Sequence, residues 1–304
     1  MSTGVAPMAD VATSEAPGEG LPELHANPPV RRRSQIERHP VKFVILLVIS
    51  IALLLPFAAL AIKGLTPAAE VSSNAWFPTY FRWQNIIDAL NQIPYFQFAA
   101  TSAVIAIVYS GLTTFSSAMV GYGFARLNGP GKRVLFAVLI GLMVIPQIVT
   151  LIPTYLVFSG LGLIGTYWPW VFWGLEGAPY VIFLYRQFYA SFPKELEEAA
   201  RLDGAGRFRT FVSIFVPLSR PLMVTAFVIS FTATWGDYIA PSLFLNASNT
   251  TLAVGLTTGY QTQNGKLLPQ LLAAGSFLYI IPVLVLFLFA QRSYVRGFVS
   301  SGIK

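Results

Sequence analysis

The chain has 304 residues, 55% of them hydrophobic and only 11% charged, and a mean hydropathy of +0.62. No water-soluble fold hides that much apolar surface, so the composition points to an integral membrane protein, and the +7 net charge belongs to membrane-proximal loops rather than to nucleic-acid binding. The absence of cysteine excludes disulfides, thiolate metal sites and thiol nucleophiles, while His25 and His39 both lie in the polar N-terminal stretch, which excludes a histidine-based catalytic or metal centre inside the membrane.

Residues 1–40 are rich in Ala, Pro, Gly and Glu, lack a helical apolar stripe and include Arg31, Arg32 and Arg33. They read as a disordered cytoplasmic tail with a basic anchor beside the membrane. Residues 41–304 read as one membrane domain. Six apolar runs of spanning length occupy 43–62, 96–119, 134–158, 165–185, 221–245 and 271–290. Backbone amides in hydrocarbon must find partners within their own segment, and barrel strands would be about half as long, so these runs are expected to be helices. The fold class expected is all-α integral membrane, with six transmembrane helices. Ala59-Leu60-Ala61 resembles a signal cleavage site, but the polar lead-in is too long and the run is span-length, so an uncleaved first helix is expected. Pro146, Pro153, Pro169, Pro179, Pro241 and Pro282 interrupt or border spans three to six.

Orientation follows from the cations. With the N-terminus inside, 17 Lys and Arg fall on inner segments and 3 (Lys63, Arg82, Lys266) on outer loops, which places both termini in the cytoplasm. The loop 190–220, between the fourth and fifth spans, is then cytoplasmic. Pro193 suits a first helical turn, Glu195, Glu197 and Glu198 suit its positive end, and Asp203-Gly204 stops it with glycine as a left-handed cap. Leu196, Ala199, Ala200 and Asp203 share one side of this helix, and its alanines offer a shallow face that another protein can approach closely. A second short helix over 207–215 is expected before Pro217 and Pro221 break the chain.

Within that loop Glu198-Ala199-Ala200, three residues, Gly204, nine residues, then Ile214-Phe215-Val216-Pro217 resembles the EAA signature of binding-protein-dependent ABC importer permeases, departing only at Val216, where leucine is usual. Gly121 to Arg126 (GYGFAR), Arg186-Gln187-Phe188 and the segment 292–304 are similar to the carbohydrate-uptake branch, especially the maltose-permease G-type subunit. The resemblance covers 43–304 and implies a type I importer permease in a bacterial inner membrane. It implies a second permease subunit, usually an unlike chain, two ATPase subunits and an extracytoplasmic sugar-binding protein. On this reading Glu198, Ala199, Ala200, Gly204, Ile214 and Pro217 couple the chain to the ATPase, with Glu198 pairing a basic group or capping backbone donors in its groove. No G-x-x-x-x-G-K-[ST] loop is present, since Gly131-Lys132 is followed by Arg133 and Gly265-Lys266 by Leu267. The chain is therefore not itself an enzyme, needs no cofactor or metal of its own, and leaves ATP and Mg to partner subunits.

Two acids interrupt the apolar spans. Glu176, near Trp168, Trp170 and Trp173, reads either as a translocation-pathway contact for sugar hydroxyls and ring faces or as a structural acid at a helix break near Pro179. Asp237 reads either as a pathway acid or as an interfacial structural one. The segment 246–269, with Gln261, Gln263 and Asn264, is the counterpart of an outer loop that in the maltose system reaches into the binding protein. Two other classes of function make different demands on the sequence. A self-contained ion-coupled transporter or channel would show inverted repeats, more spans or paired intramembrane charges. A membrane-embedded enzyme would have to work with two carboxylates and no histidine, cysteine or nucleophile motif.

Overall fold

The computed structural model describes residues 40–73 and 76–301, with side chains through Gln291. The tail 1–39, His25 and His39 among it, lies outside the described residues, as do residues 302–304. Two compact units divide the chain after Leu53. Helix α1 (Pro40–Gly64) exposes apolar side chains on every face of its first four turns, the pattern of a helix surrounded by hydrocarbon.

In the second unit α2 (Gln84–Gln92) leads into α3 (Tyr95–Arg126), the central helix of the bundle, on which several of the other helices pack directly. At 1.5 Å per residue its 32 residues extend about 48 Å, more than a hydrocarbon core is thick. After it come α4 (Lys132–Val144), α5 (Gln147–Gly160), α6 (Trp168–Glu176), α7 (Pro179–Ala190), α8 (Glu195–Leu202), α9 (Arg207–Leu218), α10 (Arg220–Trp235), α11 (Ile239–Phe244), α12 (Leu252–Gly259) and α13 (Pro269–Ser301). Three apolar clusters line α3. Phe98 and Ala106 meet Phe231, Trp235, Leu256 and Tyr260; Ile105 meets Leu151, Trp170 and Phe244; Ala118 and Tyr122 meet Tyr185, Phe211 and Phe215.

The helical class is as expected among the described residues, but the spans are not six straight rods. Among the described residues, only α1, α3 and residues Pro269–Gln291 of α13 are single helices long and apolar enough to cross a membrane; counting each of the bent pairs α4–α5 and α9–α10 as one span brings the number to five. The run 134–158 turns through 103° at Ile145-Pro146. Proline lacks an N–H and forces its predecessor out of the helical region; Ile145 sits at ψ 119° and Pro146 at ψ 131°. The run 165–185 is likewise cut, at Glu176-Gly177-Ala178, where Gly177 takes φ +78°. Such a break frees backbone groups within an apolar run, and α3 satisfies two of them. Ser116 Oγ donates to the Gly174 carbonyl at 2.8 Å, and Ser117 Oγ accepts from Ala178 N at 3.1 Å. Close approach of α3 and α7 requires Gly121, since a Cβ there would stand 2.5 Å from Tyr185 Cβ.

Candidate coupling site

The polar strip folds as a short helix, a glycine turn and a second helix. α8 begins with Glu195, Glu197 and Glu198 in its first turn and carries Arg201 in its last, matching the helix dipole at both ends. Gly204 closes it at φ +74°, with Gly204 N bonded to Arg201 O at 3.0 Å and Ala205 N to Ala200 O at 2.9 Å, so the left-handed cap is formed as expected. The second helix runs further than 207–215. It widens into a π-helical turn over Phe211–Phe215, passes through Pro217 and ends at Leu218. Within the turn Val216 N reaches back five residues to Phe211 O, a wider turn that accommodates the ring of a proline without an N–H. The break falls at Ser219, where the chain bends 80° into α10.

The strip is clamped to the bundle by a charge that sequence reasoning had valued only as part of a motif. Arg126, the last residue of α3, places Nε 3.3 Å from Glu197 Oε1, with both side chains largely buried. The two atoms face each other without hydrogen-bond geometry, so the attraction is ionic. The same guanidinium donates to the Phe192 carbonyl and lies over the Phe215 ring, 5.3 Å from its centroid. Arg201 approaches the other carboxylate oxygen of Glu197 at 3.9 Å. Beneath the ion pair is an aromatic floor: Tyr122 meets Phe215 at 4.9 Å and Phe211 at 5.2 Å, and Tyr189 meets Phe215 at 5.4 Å. The Tyr189 and Ser219 hydroxyls bond at 3.0 Å, which fixes the point where the strip joins α10.

The six signature residues divide between two faces. Ala200 is 4% exposed and Ile214 half-buried, both turned toward their own chain. Glu198, Ala199, Gly204 and Pro217 are exposed. The small-residue face is thus split: one alanine seats the helix on the bundle and the other faces out. Two apolar side chains of the strip that no motif singled out are also exposed, Leu202 at 89%, three residues after Ala199 on the same helix, and Phe208 at 65% on the next.

The acids of the apolar runs occupy different settings. Glu176 ends α6 at the helix break and is exposed on this chain. Trp173, its expected companion, is packed edge-on against Phe158 at 5.7 Å, Trp170 at 5.8 Å and Phe244 at 5.2 Å, so its ring belongs to the apolar core. Asp237 Oδ1 accepts from Ile239 N at 2.9 Å and Ala240 N at 3.2 Å, capping the first turn of α11. The segment 246–269, expected as an outer loop, is mostly not a projecting loop. α12 within it buries Leu252 and Leu256, and only a small turn closed by Thr262 N to Lys266 O at 2.8 Å presents Gln261, Gln263 and Asn264 to solvent.

Residues 116–296, more than half of the chain and all of the strip, match the family described as binding-protein-dependent transport system inner membrane component. The chain belongs to this family. This permease is 32% identical to the probable ABC transporter permease protein YurM of Bacillus subtilis, over 86% of the present chain and 87% of that protein. It is 29% identical to the melibiose/raffinose/stachyose import permease protein MelC of the same organism, over 84% and 94% of the two chains. Its fold is similar to that of a chain from a bacterial ABC transporter that imports the acidic polysaccharide alginate, with TM-score 0.72, 19% identity, and 87% of the permease and 99% of that chain covered. The permease's Arg126–Glu197 pair escaped the motif reading because its two halves lie on helices far apart in sequence, and Leu202 escaped because an exposed leucine on a charged helix has no signature.

Proposed function

We propose that this permease is one of two membrane-spanning subunits of an ATP-driven importer, in the G-type position, and that the α8–Gly204–α9 strip is the part gripped by a separate ATPase. The observation that carries this is the clamp: a short exposed helix locked by the buried Arg126–Glu197 pair onto the end of the axial helix. A push on α8 then moves α3 rather than bending a loop, because the ion pair and the aromatic floor leave no soft joint between them. Glu198, Ala199 and Gly204 face the motor, with Leu202 and Phe208 as apolar anchors in its groove, while Ala200 and Ile214 hold the strip to the bundle. Pro217 marks the exit toward α10. The bias of 17 inner cations against 3 outer ones supports placing the strip and both termini in the cytoplasm, and six crossings in all with α6–α7 as a broken span.

The substrate is a sugar or oligosaccharide, a reading supported by the melibiose/raffinose/stachyose relative. An extracytoplasmic binding protein delivers it at the face bearing Gln261, Gln263 and Asn264. Glu176, left exposed at the helix break, borders the pathway shared with an unlike second permease; Trp173 and Asp237 shape that wall from behind. ATP and Mg act on two ATPase subunits in the bacterial inner membrane assembly. Co-purification tests the whole reading: the second permease and the ATPase should accompany this chain, and ATP hydrolysis should rise with sugar-loaded binding protein. Sugar uptake by this chain alone in liposomes would contradict it.

A further inference from the structure

The motif Gly121-Tyr122-Gly123 holds two glycines that packing treats differently. Gly121 is required by Tyr185, whereas an added Cβ at Gly123 meets nothing within 4 Å. Gly123 instead lines a groove of 330 Å³ at the α3–α4 hairpin, walled by Val120, Phe124, Leu127 and Leu135. One wall is held firm, because Phe124 packs edge-on against Phe136 at 5.5 Å and Arg186 covers the Phe136 ring at 4.2 Å. At the rim Lys132 is half-buried, its Nζ donating to Leu127 O at 2.7 Å with two further N–H bonds left to offer; Arg133, next in sequence, is exposed and lies outside the groove wall. The groove thus joins an apolar trough to a cationic edge at Lys132, with the exposed Arg133 next to it in sequence, and no acidic residue lines it.

We infer that this groove is a binding site for an anionic phospholipid, with an acyl chain along Val120, Phe124 and Leu135 and the phosphate at Lys132 and Arg133. Charge complementarity selects the occupant. Basic pockets between membrane helices hold acidic headgroups, and each surface cation is worth about fivefold in such binding. A zwitterionic lipid fills the trough equally well but gains nothing net from the rim.

The test is native mass spectrometry of the purified full chain exchanged into mixed phosphatidylglycerol and phosphatidylcholine micelles. The wild type should retain one phosphatidylglycerol with a preference on the order of tenfold. Gly123→Leu builds into open space and should lose that lipid while its elution profile and helical circular dichroism stay unchanged. Arg133→Gln, on an exposed first turn, should keep a bound lipid but lower the preference about fivefold. Equal retention of the two lipids by the wild type, or undiminished phosphatidylglycerol on Gly123→Leu, overturns the site. Should Gly123→Leu fail to fold, an unchanged lipid preference in Arg133→Gln overturns it alone.

Discussion

Arg126 and Glu197 join the polar strip to the end of α3 through a buried ion pair. Charges this deeply buried are costly to separate, because either one alone is left without water or partner. Arg126→Met should therefore lower stability by about 3–5 kcal/mol, and Glu197→Leu by a similar amount. The double variant Arg126→Met with Glu197→Leu should regain most of that loss, read by thermal unfolding in detergent as a double-mutant cycle. Strictly additive losses would mean that the two groups do not act as a pair. Gly204 offers a second test at this scale. Its Cβ position is open, so the obstacle to a side chain is the backbone at φ +74°. Gly204→Val should cost about 1–2 kcal/mol locally, distort the α8–α9 turn and depress sugar-driven uptake while membrane insertion stays intact; full uptake would remove the turn from the coupling path. The glycine's role was legible because a helix stop followed by Gly has one common geometry. Glu197 was not, since the motif draws attention to Glu198 and nothing local says which acid turns inward.

Among the elements, hydropathy located the apolar runs but not their shape. It averages over a window, so 134–158 looks like one span although a proline bends it by 103°. The prolines themselves were better guides: Pro146 and Pro179 stand at breaks, whereas Pro153 and Pro282 lie inside continuous helices. At the break before Pro179 another helix, distant in sequence, pairs two of the freed backbone groups. That helix is α3. Ser117→Ala leaves Ala178 N without its acceptor and Ser116→Ala removes the donor to Gly174 O, each expected to cost about 1–3 kcal/mol. Thermal unfolding of the two variants checks this, and stability equal to wild type in both would show that the break is satisfied some other way. Small residues at helix contacts tell the same story, since Gly121 is needed only because Tyr185 of α7 arrives there.

Across the whole molecule the proposed path of force enters at the exposed polar strip and reaches the axial helix through the buried Arg126–Glu197 pair. The natural absence of cysteine gives a clean background for single reactive probes. Gln263→Cys, on the turn proposed to face the binding protein, should react with a membrane-impermeant maleimide from outside intact cells, and labelling only after lysis would reverse the orientation. The most direct measurement is crosslinking from Leu202→Cys, at the 89% exposed position three residues after Ala199, in membranes holding the assembled transporter. A bifunctional thiol reagent should join it to the ATPase subunit, with a yield that changes when ATP binds. Contradiction would be a Leu202→Cys probe that reacts from the outer face, or one that joins no nucleotide-hydrolysing partner in any nucleotide state.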